Sequence, residues 1–187
     1  MDARLRERLI ASKAVFKGRL ISVRVDEVEL FGGERARREV VVHPGAVAII
    51  PLLPDGRVVM LRQYRHAAGK ILYELPAGTL APGESPLDCA RRELMEETGY
   101  EAADLTLLFS TYLSPGFSSE IIHIFIATGL RPTQGASLDE DERLDLVVLP
   151  LDEAVAMVKR GEVQNAAAVC GLLAAHVWEG AAARGIG

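Results

Sequence analysis

Three glutamates that follow an arginine are the residues in this chain whose types and spacing most clearly suggest chemistry. Glu93, Glu96 and Glu97 are spaced i, i+3 and i+4, so a helix would place them on one face, directly after Arg92. Carboxylates at these spacings repel one another, and the macrodipole disfavours negative charge near a helix C-terminus. A solvated acidic face is one interpretation. A hard divalent cation that neutralises the cluster is the other, because Mg²⁺ prefers oxygen ligands.

The residues around these acids predict the helix that must position them. Ser85 followed by Pro86, with Asp88 at the third helical position, is typical of a capped helix N-terminus. Gly99 is the expected left-handed stop at the other end. Pro76-Ala77-Gly78 provides a tight entry before the helix. We therefore expect a helix of about three to four turns, entered through a glycine-containing loop.

The segment 78–100, GTLAPGESPLDCARRELMEETGY, resembles the Nudix box, G-x5-E-x7-R-E-U-x-E-E-x-G-U. The matching positions are Gly78, Glu84, Arg92, Glu93, Leu94, Glu96, Glu97 and Gly99, and Tyr100 departs from the usual aliphatic residue. The resemblance implies an α/β fold, the Nudix-type αβα sandwich with a mixed sheet. It also implies a site for two or three Mg²⁺ ions, which Mn²⁺ can replace. The implied metal ligands are Glu93, Glu96, Glu97 and the Ala77 carbonyl, while Glu84 and Arg92 orient the helix and loop.

Motifs outside the box resemble the ADP-ribose pyrophosphatase branch of the Nudix family. They are Arg62-Gln63-Tyr64-Arg65, Glu74-Leu75-Pro76-Ala77-Gly78 and Ser114-Pro115-Gly116-Phe117. Pro115 stands fifteen places after Tyr100, where the branch has its marker proline. Ala81 departs from the branch, which often has an acid there. The resemblance implies hydrolysis of ADP-ribose, or a related ADP-sugar, to AMP and ribose 5-phosphate.

The resemblance also assigns roles to residues outside the box. In the resembling enzymes an acid in a mobile loop activates water, which favours Glu142 as the base, with Glu140 second; Glu96 and Arg92 complete the catalytic set. Guanidinium groups offer fork-like donors to phosphate, so Arg62 and Arg65 are candidate phosphate contacts. The implied substrate-binding set is Arg62, Arg65, Glu74, Pro115, Gly116 and Phe117.

Two alternative functions remain open at this stage. The first is a broader nucleoside-diphosphate-sugar or dinucleotide pyrophosphatase that acts on GDP-mannose or FAD-like substrates. The second is a non-catalytic ADP-ribose-sensing module. Sensors of that kind resemble Nudix-like domains fused to a DNA-binding winged helix, and their Nudix box is usually degraded. Here the box acids are complete and no basic DNA-reading helix follows. The sequence therefore favours the enzyme.

Composition excludes several classes of protein. The 187 residues are 25% charged and 49% hydrophobic, unlike a disordered chain. A formal net charge of -5 argues against a surface that coats nucleic acid. No apolar run reaches transmembrane length, and residues 1–7 do not resemble a signal peptide. Cys89 and Cys170 are too few for a disulfide framework, so we expect a cytoplasmic protein in which both thiols are reduced and buried.

The chain is predicted to divide into an N-terminal β-arm, residues 1–43, and a Nudix hydrolase domain, residues 44–187. In the arm we expect a short helix or frayed end over 3–12, followed by a hairpin whose two strands are 19–30 and 36–43. The first of these strands is expected to have a bulge near Asp26-Glu27. In the domain we expect a strand over 46–53 whose hairpin partner is 57–64, and further strands over 71–75, 105–113, 121–127 and 144–149. We expect the later helices over 151–160 and 163–178. A hairpin alone is marginal in water. In the resembling branch such arms cross to the partner subunit, which implies a homodimer with exchanged arms.

Overall fold

The structure, a computed structural model, describes residues 3–133 and 143–182, with side chains described as far as residue 178. The described chain divides into two compact units. One contains residues up to Gly45 together with Tyr112–Ile121, and the other contains Ala46–Thr111 and residues from Ile122 onward. The segment Tyr112–Ile121 therefore joins the N-terminal unit, whereas the sequence-based division at residue 44 placed it with the later domain.

The N-terminal unit is built on an antiparallel three-stranded sheet in the order β1-β2-β3. Its strands are β1 (Arg8–Lys17), β2 (Ser22–Glu29) and β3 (Arg35–Val42). The buried Asp26 carboxylate accepts hydrogen bonds from Ser12 Oγ at 2.6 Å and Arg24 Nε at 3.0 Å. The loop after Ser114 joins this unit, because Val41 N donates to Phe117 O at 2.8 Å.

Two expectations for the arm were wrong. The segment 3–12, expected to be a short helix or a frayed end, contains a single 3-10 turn, Ala3–Leu5, followed by the start of β1. Pairing with β2 overrides the local preference of these residues, since strand propensity depends strongly on context. The irregularities belong to β1 rather than β2. Ile10 is an extra residue between the pairs Leu9–Val28 and Ala11–Glu27, and Val15 is a second one between Ala14–Arg24 and Phe16–Val23. The predicted return strand over 36–43 is confirmed as β3.

The second unit contains a mixed sheet, which confirms the predicted fold class. A four-stranded sheet has the order β7-β4-β10-β9, with β4 parallel to β10 and antiparallel to β7. A three-stranded antiparallel sheet has the order β12-β5-β6, and β8 pairs with β11. The strands are β4 (Ala46–Pro51), β5 (Arg57–Arg65), β6 (Lys70–Glu74), β7 (Ala77–Thr79), β8 (Tyr100–Glu101), β9 (Asp104–Tyr112), β10 (Ile121–Thr128), β11 (Arg131–Pro132) and β12 (Leu144–Pro150).

β4 and β5 are not hairpin partners, although the turn between them forms as predicted. Gly56 adopts φ +80° and donates to Leu53 O at 3.0 Å, which closes the turn. Beyond an isolated bridge between Leu52 and Val58, the two strands enter different sheets. The prediction failed because adjacency in sequence does not decide which apolar strand supplies a backbone partner. For β4 the parallel partner β10 lies far along the chain.

Helices pack on this unit, and two of them cover the two faces of β4. They are α1 (Pro86–Thr98), α2 (Leu151–Lys159) and α3 (Ala166–Ala182). Val47 and Ile49 share a buried cluster with Leu94 of α1, whereas Ile50 lies against Gly171 of α3. α3 begins later than the predicted 163, because Asn165 Oδ1 caps it by accepting from Ala168 N at 3.0 Å. Within the described ranges, no helix is long and apolar enough to span a membrane.

Candidate active site

α1 has the start and stop that its sequence predicts. Ser85 Oγ accepts from Asp88 N at 3.1 Å and donates to Asp88 Oδ2 at 2.6 Å, and Pro86 opens the helix. Gly99 ends it with φ +70°, and its N–H donates to Met95 O at 2.9 Å. Both ends are set by short-range hydrogen bonds. The orientation of the helical side chains therefore follows from the segment itself.

Arg92 connects the entry loop to the acidic face of α1. Its Nε and Nη2 lie 2.9 and 3.0 Å from the two carboxylate oxygens of Glu84. Its Nη1 lies 2.6 Å from Glu93 Oε1 and 3.0 Å from Glu96 Oε2. Hydrogen bonds from Arg92, and from Ala81 N at 2.9 Å, lower the pKa of Glu84 to about 2. Hydrogen bonding to Glu84 is also the main cause that raises the pKa of Arg92.

The carboxylates of Glu93 and Glu97 are buried against the loop that enters the box. Both residues are less than one-tenth exposed. Glu97 Oε2 accepts from Ala77 N at 2.8 Å. A Cβ at Gly78 would overlap the Glu93 carboxylate, so glycine at this position leaves the space that the carboxylate fills. β7 holds both loop residues in place, because Ala77 pairs with Ala48 and Gly78 with Val47 of β4.

The acidic face of α1 and the backbone of Ala77 offer the kind of donor atoms that a hard divalent cation prefers. Glu93, Glu96 and Glu97 lie on one face of α1, where Glu97 contacts the backbone of Ala77, and all of these groups offer oxygen donors. Among the described residues, no three His, Cys, Asp or Glu side chains are grouped so that they alone could hold a metal ion. Mg²⁺ commonly uses one or two carboxylates and takes its remaining ligands from water and substrate phosphates. The residues present fit that mode of binding.

Cys89 lies beneath the box loop. It is fully buried, and its Sγ is 3.7 Å from Thr79 O and 3.4 Å from Arg92 Nη2. Burial raises the pKa of this thiol to about 12. The predicted reduced, buried state therefore holds for Cys89, whereas Cys170 is exposed.

Glu74 is a buried carboxylate at the centre of a polar group. It is 2% exposed and accepts from Arg65 Nη2 at 2.7 Å, from Gln63 Nε2 at 3.0 Å and from Asn165 Nδ2 at 3.0 Å. Sequence reasoning singled out Glu74 and Arg65 but missed Gln63 and Asn165 as their partners. Alternation along β5 could have indicated Gln63, because it shares the Arg65 side of the strand. Nothing local could have indicated Asn165, which lies 91 positions from Glu74.

Arg62 and Arg65 are three positions apart on β5, so they project from opposite faces of the strand. The Arg62 guanidinium lies over the Tyr73 ring, with Cζ 5.6 Å from the ring centroid. Its buried Nε has no hydrogen-bond partner within the described ranges. The structure therefore places Arg65, but not Arg62, beside Glu74.

The remaining predicted site residues fall in two other places. Pro115, Gly116 and Phe117 lie in the N-terminal unit, where Phe117 is 57% exposed and its N–H donates to Ser114 O at 3.2 Å. Glu140 and Glu142, the predicted bases, lie outside the described residues.

Comparison with known proteins agrees with this architecture. The family model described as NUDIX domain matches residues 42–170. The methanol dehydrogenase activator of Bacillus methanolicus is 44% identical over 87% of this chain and 89% of its own length. The ADP-ribose pyrophosphatase of Bacillus subtilis (strain 168) is 41% identical over 87% of this chain and 88% of its own. A crystal structure of an ADP compounds hydrolase superposes with a TM-score of 0.84 at 27% identity, covering 100% of both chains. With Arg92 and the box glutamates Glu93, Glu96 and Glu97 on α1 and a family match over most of its length, this chain belongs to the Nudix family.

Proposed function

We propose that this protein hydrolyses the pyrophosphate bond of ADP-ribose, or a related ADP-sugar, to AMP and ribose 5-phosphate in the presence of a divalent cation. The observation that carries the proposal is the acidic face of α1, where Glu93 and Glu97 are buried against Ala77 and Gly78. Two buried carboxylates on adjacent turns are costly as scaffold and are suited to holding a cation. The substrate class is inferred from relatives of high coverage, one of which is an ADP-ribose pyrophosphatase.

In this proposal, Glu93, Glu97, Glu96 and the Ala77 carbonyl hold Mg²⁺, which Mn²⁺ can replace. The cation would neutralise charge on the phosphate oxygens and make water a better nucleophile. Arg92 fixes Glu93 and Glu96 through its Nη1 while its Nε and Nη2 hold Glu84. Glu142, with Glu140 as the second choice, accepts the proton of the attacking water. Arg65 is the stronger candidate for a substrate contact of the two arginines on β5, because it shares a face with Glu74.

We also propose a homodimer in which residues 1–43 reach the partner subunit and help to form its site, with Pro115, Gly116 and Phe117 among the substrate contacts. Support comes from the N-terminal sheet, whose described hydrophobic side chains include only Val28 in the buried class. Leu9, Val15, Phe16 and Leu20 are each more than half exposed. Cytoplasmic residence is the matching proposal for compartment, supported by two cysteines that form no disulfide.

A substrate panel tests the proposed reaction directly. The purified chain would be incubated with ADP-ribose, GDP-mannose or FAD, with Mg²⁺ and with EDTA, and the products identified by chromatography and phosphorus NMR. We expect the highest kcat/KM for ADP-ribose, with AMP and ribose 5-phosphate as products and no turnover in EDTA. A higher kcat/KM for GDP-mannose would replace the substrate assignment. Tight binding of ADP-ribose with no turnover in Mg²⁺ would indicate a sensing module instead.

A further inference from the structure

α3 is apolar on two opposite faces, and the described unit covers only one of them. On the covered face Ala167, Ala168, Leu172 and Ala175 are buried. Gly171 lies so close to its neighbours that a Cβ there would be 2.6 Å from Leu75 Cδ1. A helix on the surface of a globular domain normally turns a polar face to water. The opposite face of α3 departs from that rule.

The opposite face carries an apolar stripe of exposed residues, which we call the α3 stripe: Ala166, Cys170, Leu173 and Val177. Leu173 is 40% exposed and Val177 is 66% exposed. The spacings of four, three and four residues are those of the seam between two packed helices. Over residues 163–178 the only side chain that can carry a charge near neutral pH is His176. A continuous exposed apolar patch of this kind is typical of an interaction surface.

We propose that the α3 stripe packs against the same stripe of a second copy of this chain. The two helices run antiparallel about a two-fold axis that passes between the positions of Cys170 and Leu173. This register places Ala166 opposite the partner's Val177, and Cys170 opposite the partner's Leu173. Every large side chain of one stripe then meets a small side chain of the other, as a self-complementary two-fold contact requires.

The chemistry of the stripe favours a second copy over another partner. The stripe has no charged residue, so it neither selects an oppositely charged partner nor repels itself. In this register every facing pair contains one small residue, which lets the two helix axes approach to about 8–10 Å. The stripe is only about 17 Å long, well short of a standard interface of about 800 Å² per partner. We therefore expect reversible association that depends on protein concentration.

Sedimentation velocity of the full chain over a range of concentrations tests the interface. Leu173→Glu places a charge at the centre of an exposed contact and should raise the dissociation constant of one association step at least tenfold. Leu107→Glu makes the same change at a 49% exposed leucine on β9 and should leave that step unchanged. Neither residue belongs to the proposed site, so turnover per chain is recorded separately and the two proposals can fail independently. An unchanged mass distribution for Leu173→Glu would overturn the interface.

The register has its own test. In the Cys170→Lys, Leu173→Glu double variant, the introduced lysine would face the introduced glutamate of the partner subunit twice across the axis, so association should recover relative to either single change. In the unchanged protein the two Cys170 Cα atoms would be about 10 Å apart, so a short bismaleimide should join two chains through the exposed Cys170 thiols. Cys89 is buried and should not react with the reagent. No cross-link and no recovery would overturn the proposal. So would selective binding of the unchanged chain, over Leu173→Glu, to phosphatidylcholine–phosphatidylglycerol vesicles, because the stripe would then serve a membrane.

Discussion

Arg92 holds Glu84 by two parallel hydrogen bonds, with Nε 2.9 Å from Oε1 and Nη2 3.0 Å from Oε2. This bidentate pair fastens the loop before α1 to the middle of the helix. The third nitrogen of the same guanidinium reaches Glu93 and Glu96. The position of the acidic face therefore depends on the Arg92–Glu84 ion pair, in which Glu84 is not itself a proposed metal ligand and Arg92 contacts two of the ligands.

The Arg92–Glu84 pair should make stability depend on pH in acid. Its hydrogen bonds lower the pKa of Glu84 to about 2 from an ordinary 4.5, so the folded state holds the ionised form. The stabilisation is present above pH 4.5 and is lost as the pH falls towards 2. We expect Glu84→Gln to lower the free energy of unfolding at about pH 7 by more than at about pH 3, measured by urea denaturation in EDTA. An equal loss at both pH values would contradict the assignment.

Gly78→Ala should separate activity from stability. The added methyl group would overlap the Glu93 carboxylate, which is the end of a flexible side chain and can swing away at small cost. Displacing it should lower kcat/KM for ADP-ribose by about 10- to 100-fold, the usual scale for disturbing the support of a metal site. The unfolding temperature should change little. A normal kcat/KM would show that the Glu93 position does not set activity, whereas a large fall in unfolding temperature would show that the change acts through the fold.

Glu97→Gln tests the proposed metal ligand most directly. The change keeps the shape and the contact with Ala77 N but removes the negative charge. We expect turnover to fall by about 100-fold or more, and isothermal titration with Mn²⁺ should show weaker binding. Glu101→Gln, at an exposed glutamate of β8, is the matched control and should retain both properties. Near-normal turnover of Glu97→Gln would remove Glu97 from the metal site.

The base is tested by two neighbouring substitutions. Glu142→Gln keeps the size of the side chain but cannot accept a proton, so it should slow the chemical step by about 10²- to 10⁴-fold. Metal and substrate affinity should stay nearly constant, as measured by single-turnover kinetics and equilibrium binding. If Glu140→Gln is the slow variant instead, the register within the acidic loop is wrong by two. If neither is slow, the base lies within the box.

The arm is tested by complementation between two inactive chains. Deleting residues 1–43 should abolish activity and, in a Leu173→Glu background, reduce the mass to one chain. Co-expression of the arm-deleted chain with full-length Glu97→Gln should restore activity, because the intact arm of one subunit then serves the intact acids of the other. A single-chain mass for the active Leu173→Glu protein would contradict the exchanged dimer. Failure of the mixed protein to regain activity would place the arm's contribution within its own subunit.

Local sequence was sufficient to determine α1. The Ser85 cap, the Gly99 stop and the common face of Glu93, Glu96 and Glu97 all involve residues within a few positions of one another. Short-range hydrogen bonds and helical periodicity decide such features, so no distant partner is needed. The family could be recognised for the same reason, since its box is one continuous segment.

Tertiary structure alone decided the features that join distant parts of the chain. The burial of Glu74 depends on Asn165, 91 positions away, and β4 pairs with β10 rather than with the strand that follows it. Residues 8–17 form a strand because β2 supplies backbone partners that their local preferences do not reveal. Arg62 and Arg65 project from opposite faces of β5, and only the position of Glu74 decides that Arg65 is the arginine paired with this buried carboxylate. Each of these depends on long-range packing, in which several local patterns are equally acceptable until a partner surface selects one.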